Sequence, residues 1–176
     1  MVRAASARRY AQAVFHIALE RGELELWRGD LERVRVVLED PLLMSFLQSP
    51  KFPFDDKARV LSQLLEGIGP LAMNLAYLLV AKGRVSIVED MVSDYERLLD
   101  DHLGIAHAEV ATAVPLEPEE KDRLTQRLSD MVGKEIVLSE SVDPSLIGGL
   151  VARVGDKLFD GSTRSRLLAL KESLKR

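Results

Sequence analysis

The sequence predicts an α+β protein, with an N-terminal six-helix bundle over residues 1–104 followed by a small α/β domain over residues 105–176 that has a short sheet and two helices. Two observations lead to this prediction. Through the first hundred residues, apolar side chains recur at spacings of three and four, which is the period of a helix with one buried face. After Gly104 the spacing changes to two, which is the period of a strand. The change places the domain boundary near Gly104.

Six helices are predicted before Gly104, and most are bounded by glycine or proline. They cover residues 4–21, 24–40, 41–47, 55–66, 70–81 and 84–103. Gly22 suits the left-handed position that follows many helices, and Pro70 suits the first helical position.

The second half mixes strands with helices. Strands are predicted over residues 105–113 and 136–142 and on both sides of a Gly155-Asp156 hairpin turn, with helices over residues 117–132 and from Ser162 to Leu174. Between the second strand and the hairpin, the sequence predicts a short helical turn that Asp143 caps and Gly148 ends.

Charge and composition exclude several classes of protein. Residues 1–104 carry 13 basic and 16 acidic side chains, and residues 105–176 carry 11 and 12, so neither half has the basic surface of a nucleic-acid binder. Cysteine is absent, which excludes disulfides and thiolate metal sites and favours a reducing compartment. No apolar run reaches the roughly 20 residues that span a bilayer.

The N-terminal stretch has two interpretations. From Met1 to Leu19 it contains alanine and arginine but no acidic residue, which resembles a mitochondrial presequence. Glu20 follows directly, and Gly22 ends the apolar helical pattern. This favours a helix of the bundle.

The residue inventory contains no recognisable catalytic or metal-binding pattern. His16, His102 and His107 lack a metal-ligand spacing, and we expect the last two on the surface. The stretch from Gly148 to Lys157 has glycines and a lysine but not the GxxxxGK[ST] spacing of a phosphate loop. The sequence therefore predicts no enzyme activity, no cofactor and no metal.

The first and fifth helices carry more apolar surface than one buried face requires. In the first helix, polar residues occupy only about a third of the circumference at about 100° per residue. Between Leu71 and Ala81, only Asn74 is strongly polar. Two interpretations remain open. Either the bundle surrounds both helices, or both share its core and also expose a groove for a partner's amphipathic helix.

Charged residues cluster near the C-terminus. Asp156, Asp160, Arg164 and Arg166 either pair with one another or dock an acidic or helical partner. Two arginines in the first turn of a helix oppose its dipole, and Asp160 just upstream offsets that effect.

Residues 136–170, IVLSESVDPSLIGGLVARVGDKLFDGSTRSRLLAL, resemble the signature of the F-type ATP synthase delta subunit family, whose mitochondrial member is the oligomycin-sensitivity-conferring protein. The shared features are the pairs Val142-Asp143 and Gly148-Gly149, the RVGD stretch of residues 153–156 and the DGSxRxRL pattern of residues 160–167. ARRYAQAVFHIAL of residues 7–19 and LLVAKGR of residues 78–84 also resemble the family. Ala152 departs from it, because the family usually has a larger aliphatic residue there.

The resemblance implies a mechanical role without catalysis, as a stator subunit that links the catalytic head to the peripheral stalk while proton-driven rotation makes ATP. The N-terminal domain would bind the N-terminal helix of an α subunit, and the C-terminal domain the C-terminal ends of the b subunits. The protein would lie peripherally on the cytoplasmic face of the bacterial inner membrane.

The resemblance also implies which residues bind the α subunit and which form the C-terminal motif. Those for the α subunit are Tyr10, Ala13, Ile17, Leu75, Leu78, Leu79 and Arg84. Those of the C-terminal motif are Asp143, Gly148, Gly149, Arg153, Gly155, Asp156, Asp160, Gly161, Arg164 and Arg166.

A second hypothesis is a free helical adaptor or regulatory protein whose groove binds another amphipathic helix. An enzyme of unknown chemistry is a third, and the residue inventory disfavours it. The first two hypotheses differ in what they predict for co-purification, because only a stator subunit travels with a large membrane ATPase.

Overall fold

The computed structural model describes residues 2–163 together with Leu167 and Lys171, except for the side chains of Val2 and Arg3. In this part of the chain the helices are α1 (Val2–Arg21), α2 (Leu24–Leu38), α3 (Pro41–Gln48), α4 (Phe54–Leu64), α5 (Pro70–Ala81), a 3-10 helix (Val85–Ile87), α6 (Val88–Leu103) and α7 (Pro118–Val132). The strands are β1 (Ile105–Thr112), β2 (Glu135–Val142), β3 (Leu150–Val154) and β4 (Lys157–Asp160). The α+β class is confirmed, whereas the arrangement of the first six helices as one bundle stays a prediction.

The chain divides into two compact units, Met1–Leu99 and Asp100–Arg176. The division falls inside α6, slightly before Gly104, which the sequence favours as the boundary. That the two parts fold independently stays a prediction.

The helices of the first unit each contribute buried side chains to its core. In α2, the residues spaced by three and four that lie buried are Trp27, Leu31, Val34 and Leu38. The Tyr95 hydroxyl of α6 donates a hydrogen bond to the Leu24 carbonyl oxygen at 2.8 Å. Burial raises the pKa of Tyr95 to about 12, so the hydroxyl stays protonated and keeps donating at neutral pH.

A buried carboxylate joins α2 to α5. Asp30 is 8% exposed, and its Oδ2 accepts a hydrogen bond from the Gly69 backbone N–H at 2.9 Å. Gly69 is the residue before the first turn of α5, where backbone N–H groups lack partners within the helix. The contact satisfies a buried acid and fixes the start of α5.

The second unit contains a four-stranded sheet in the order β2-β1-β3-β4. β1 and β2 are parallel, and α7 forms the crossover between them that parallel strands need. β3 lies antiparallel to β1, and β4 pairs with β3 through the Gly155-Asp156 turn, as predicted. One face of the sheet packs on α7, which contributes Leu128 to the core.

Some predicted element bounds differ from the structure, and one predicted element lies largely outside the described residues. The sixth helix begins as a 3-10 turn and becomes α-helical at Val88. α2 ends at Leu38 rather than at residue 40, because the residue before Pro41 is extended and cannot continue a helix. The last predicted helix falls largely outside the described residues, which include only Ser162, Thr163, Leu167 and Lys171 of it.

The predicted turn between β2 and β3 is present at its start but does not extend to Gly148. Asp143 begins a single hydrogen-bonded turn, in which its carbonyl accepts from the Leu146 N–H at 3.1 Å and its Oδ1 from the Ser145 N–H at 2.9 Å. The residue in the left-handed conformation is Gly149, with φ of +82°.

Candidate partner-binding surfaces

α1 buries one face and exposes apolar side chains beside it. Val14 and Ala18 lie in the core, whereas Ala13 is exposed and Ile17 is 38% exposed. Tyr10 is half-buried at the edge of the core. Because Tyr10, Ala13 and Ile17 are spaced by three and four residues, they lie on the same side of the helix.

Of the three predicted site residues on α5, one is exposed and two are buried. Leu78 is 41% exposed, whereas Leu75 is 8% exposed and Leu79 is fully buried. In this structure Leu79 has no surface to offer a partner, and Leu75 has little. Among the residues predicted to form the groove, these two therefore lie on the buried face of the helix.

These exposures argue against one of the two interpretations left open for α1 and α5, and the groove for a partner helix stays a prediction. Ile17 and Leu78 are both open to solvent in the part of the chain that the structure describes. The interpretation in which the bundle surrounds both helices is therefore wrong for this side of each helix. The exposed and half-buried set Tyr10, Ala13, Ile17, Leu78 and Arg84 is called the α1/α5 surface below.

A cation links the two parts of the α1/α5 surface. Arg84 follows α5, and its guanidinium donates to the Tyr10 hydroxyl oxygen at 3.3 Å. The same guanidinium lies 5.7 Å from the centre of the Tyr10 ring, within the range of a cation–π contact. The backbone N–H of Arg84 bonds the Leu79 carbonyl at 2.8 Å, which fixes the chain as it leaves α5. The surface is thus apolar with one positive edge.

The glycine pair of the C-terminal motif lies where the segment that leads into β3 crosses the segment that follows β4. The Thr163 N–H bonds the Gly148 carbonyl, and the Gly161 N–H bonds the Leu150 carbonyl, both at 2.9 Å. A Cβ on Gly149 would lie 2.5 Å from the Gly161 carbonyl oxygen, closer than any real contact. Gly149 therefore serves backbone packing, whereas a Cβ on Gly148 would meet the Thr163 side chain, with Oγ1 at 3.0 Å.

The other described members of the motif shape turns or lie on the open sheet face. Asp160 Oδ1 accepts from the Ser162 N–H at 2.9 Å. Hydrogen bonds from Ser145, by both its side chain and its backbone, lower the pKa of Asp143 and keep it ionised. Arg153 is exposed on β3, directly across from Glu109 of β1.

Arg164 and Arg166 lie outside the described residues, and so does the predicted charge pairing that involves them. Asp156 is exposed in the turn after Gly155, which has φ of +56°.

Sequence reasoning missed an apolar cavity beside this crossing. It has a volume of about 720 Å³, and its lining includes Leu124, Leu128 and Met131 of α7 and Ala152 and Phe159 of the sheet. Ala152, the departure noted in the sequence, is fully buried on β3. A larger aliphatic side chain at that position would extend from the strand that lines this cavity. The signal that could have indicated the cavity is therefore one small residue on a buried strand.

The described residues form no group of three or more potential ligands that could hold a metal ion. Among the helices of the same residues, none combines the length and the apolar character that crossing a bilayer requires. His16 and His102 are exposed, and His107 pairs with Asp100 at 3.0 Å. Lys157 lies in β4 rather than at the start of a helix.

Known proteins resemble the chain over nearly its full length. The family model described as ATP synthase delta (OSCP) subunit matches residues 6–174. An ATP synthase subunit delta from Dehalococcoides mccartyi is 39% identical over 170 residues, which cover 97% of this chain and 94% of that relative. One from Rubrobacter xylanophilus is 38% identical over 167 residues, covering 94% and 93%. A chain of the Toxoplasma gondii mitochondrial ATP synthase hexamer matches in structure with a TM-score of 0.62, at 26% identity and with 97% of both chains covered.

Proposed function

Because the chain belongs to the ATP synthase delta (OSCP) subunit family, we propose that it is a non-catalytic stator subunit of a rotary F-type ATP synthase. In this role it links the catalytic head to the peripheral stalk, so that the head does not turn with the rotor. It acts at the cytoplasmic face of the bacterial inner membrane, without crossing it. The family match extends over both compact units, so both are assigned to this role.

The first unit binds the N-terminal helix of an α subunit through the α1/α5 surface. The observation that carries this proposal is the exposure of Ile17 and Leu78 on helices whose other faces already form a core. An amphipathic helix laid on this surface would bury apolar side chains from both partners, which is the main favourable term in such contacts. Arg84 adds a cation at the edge, suited to an acidic side chain or to the C-terminal end of the partner helix.

The second unit holds the C-terminal ends of the b subunits. Its apolar cavity and the exposed Met131 at the cavity wall support this assignment, because a partner's apolar side chains could be buried there. The chain itself neither binds nor hydrolyses ATP. This part of the proposal is supported by the absence of a phosphate-loop motif from the sequence.

Co-purification from the native membrane tests the proposal. The tagged chain, expressed in its own host and solubilised in mild detergent, should retain ATP synthase α and b subunits identified by mass spectrometry. A tagged Ala13→Arg chain serves as the control, and it should lose α far more than b. Recovery of an unrelated helical protein without any ATP synthase subunit would instead establish the adaptor hypothesis.

A further inference from the structure

The apolar pattern of α5 does not determine which face of the helix is buried. From Leu71 to Ala81 a single residue, Asn74, is strongly polar, so nearly every rotation of the helix would bury apolar side chains. Yet Leu79 is fully buried, whereas its neighbour Leu78 is 41% exposed. A rotation of about 100° would exchange these two leucines for each other. Contacts from outside the helix are therefore needed to fix its rotation.

A buried acid of α2 holds the start of α5. Asp30 is 8% exposed, and its Oδ2 accepts a hydrogen bond from the Gly69 backbone N–H at 2.9 Å. The Gly69 carbonyl in turn accepts from the Met73 N–H at 3.0 Å, so the first hydrogen bond of the helix begins at the residue that Asp30 holds. A Cβ on Gly69 would lie 2.9 Å from the same carboxylate oxygen, so the backbone approaches this acid closely.

A cation one turn further along α2 holds the other end of the same connection. The Arg33 guanidinium donates to the Glu66 carbonyl oxygen, just after α4. The end of a helix presents free carbonyl groups and partial negative charge, whereas its start presents free N–H groups and partial positive charge. The cation therefore lies at the end of α4 and the acid at the start of α5. Together Asp30 and Arg33 fix residues 66–69 at both ends.

We propose that Asp30 is a positioning residue, which fixes the rotation of α5 and so determines that Leu78 rather than Leu79 reaches the surface. If α5 turned about its axis, the Gly69 N–H would leave the carboxylate, and a buried acid without its donor is strongly unfavourable. Exchanging one leucine for another carries no such penalty. The hydrogen bond therefore selects one rotation among those that the apolar pattern allows. The inference reaches the α subunit only through the function proposed above, which assigns Leu78 to the α1/α5 surface.

Thiol labelling measures the rotation of α5 directly, because the chain contains no cysteine. Leu78→Cys and Leu79→Cys each introduce one thiol, whose rate of reaction with an aromatic disulfide reagent reports its exposure in the folded protein. With Asp30 in place, the thiol at position 78 should react at least about 100-fold faster than the thiol at position 79, because a buried group reacts only through local opening. Adding Asp30→Ala should reduce this ratio to less than about tenfold.

Two substitutions in α2 are the controls for Asp30→Ala. Asp30→Asn keeps a side-chain oxygen that can accept from the Gly69 N–H, so it should preserve the ratio. Leu38→Ala creates a cavity two turns further along the same helix, at a side chain that is 1% exposed. It should lower the melting temperature and preserve the ratio. An unchanged ratio in Asp30→Ala would overturn the inference, and so would an equal fall in Leu38→Ala, since general loosening would then explain both.

Amide hydrogen exchange of the unchanged chain gives a result even if Asp30→Ala does not fold. The Gly69 amide lies before the first turn of α5, yet it should exchange at least about 100-fold more slowly than in an open chain, because Asp30 accepts its hydrogen bond. Exchange of this amide at the open-chain rate would overturn the inference.

Binding of an α-subunit N-terminal peptide is measured separately from the rotation of α5. Asp30→Ala should weaken this binding several-fold, because the binding-competent rotation is then only partly populated, and Asp30→Asn should restore it. If the unchanged chain does not bind the peptide while the labelling ratios follow the expectation, the proposed function fails and the inference about α5 stands. Labelling ratios that ignore Asp30 overturn the inference, whatever the peptide does.

Discussion

Ala13 of α1 is exposed beside a core, between Tyr10 and Ile17 on the same side of the helix. A small side chain at such a position lets a partner helix approach closely. The affinity for the partner should therefore depend strongly on this one alanine. The core underneath is complete without it, because Val14 and Ala18 fill that space. Binding and folding can therefore be separated at this residue.

Ala13→Arg should weaken binding of an α-subunit N-terminal peptide by at least about 100-fold, or roughly 3 kcal/mol, because it places an unpaired charge in a desolvated contact. Its melting temperature should stay within a few degrees of the original, since exposed substitutions rarely change stability by more than about 0.5 kcal/mol. Calorimetry and thermal melting measure the two effects.

Gln12→Arg is the matched control for this substitution. It adds the same charge to an exposed neighbouring position that points about 100° away. Its affinity should stay within a few-fold of the original. Unchanged affinity in Ala13→Arg would remove Ala13 from the interface, and a collapsed melt would assign it to the core.

Gly149→Ala should destabilise the second unit by about 2–4 kcal/mol. The left-handed φ of +82° costs a residue with a side chain about 1–2 kcal/mol, and the clash with the Gly161 carbonyl adds about as much again. Denaturant unfolding measures the change. Gly155→Ala is the control, since its φ is +56° but a Cβ there meets nothing within 4 Å. Equal effects of the two substitutions would show that the close crossing does not matter.

At the scale of elements, α7 and β2 are joined by one acid. Glu140 on β2 accepts hydrogen bonds from Lys121 Nζ of α7 at 2.6 Å and from the Leu116 N–H at 2.7 Å. These two hydrogen bonds lower the pKa of Glu140 below its ordinary value. The bond from Lys121 has the larger effect, and the bond from Leu116 has the second largest. The carboxylate fixes the start of the crossover helix against the strand it leads to.

Glu140→Gln should lower stability at neutral pH and flatten acid unfolding. A carboxyl group with a lowered folded-state pKa contributes stability above its unfolded pKa of about 4.3. That contribution disappears as the pH falls through the folded-state pKa. The difference between the two proteins should therefore be full at pH 7 and vanish at strongly acidic pH, as thermal melts across this range will measure.

Asp122→Asn, which neutralises an exposed acid of α7, is the control for Glu140→Gln. It should leave the pH profile of stability unchanged. A difference between Glu140→Gln and the original chain that stays constant down to strongly acidic pH would contradict the role of the charge.

At the scale of the whole molecule, α6 belongs to both units. Tyr95 and Leu99 complete the core of the first unit, and the division follows directly after Leu99. The first unit therefore needs α6 almost to the C-terminal end of that helix. A fragment of the first unit must include it.

A fragment of residues 1–104 should fold on its own as a helical protein. It contains every side chain that the structure describes in the core of the first unit. Circular dichroism and cooperative thermal melting measure this. A fragment of residues 1–94 is the matched control, because it lacks only the last ten positions and loses the buried Tyr95 and Leu99. Loss of two such side chains costs several kcal/mol, so this shorter fragment should be largely unfolded. An unfolded 1–104 fragment would show that the boundary is wrong.

Local chemistry in the sequence was enough to predict most of the described helices and strands, and the family. Proline and glycine bound most helices, and the Gly155-Asp156 turn lies where the sequence predicts it, because backbone preferences at these residues depend little on distant contacts. The change in apolar spacing, from three or four residues to two, predicted the change from helices to sheet. These spacings are the periods of a helix and of a strand with one buried face. The residue motifs predicted membership of the ATP synthase delta family, which the comparisons confirm.

Only the tertiary structure decided which apolar residues are surface and which are core. Leu78 and Leu79 are neighbours with the same side chain, yet one is 41% exposed and the other is fully buried. A helix that is apolar nearly all round gives no sign of its buried face, since that depends on which helices pack against it. The Tyr10–Arg84 contact, the Gly149 crossing and the Asp100–His107 pair likewise join residues from separate elements, so nothing in the local sequence could indicate them. Local backbone preferences fix the elements, whereas packing between distant segments fixes the surfaces through which the protein acts.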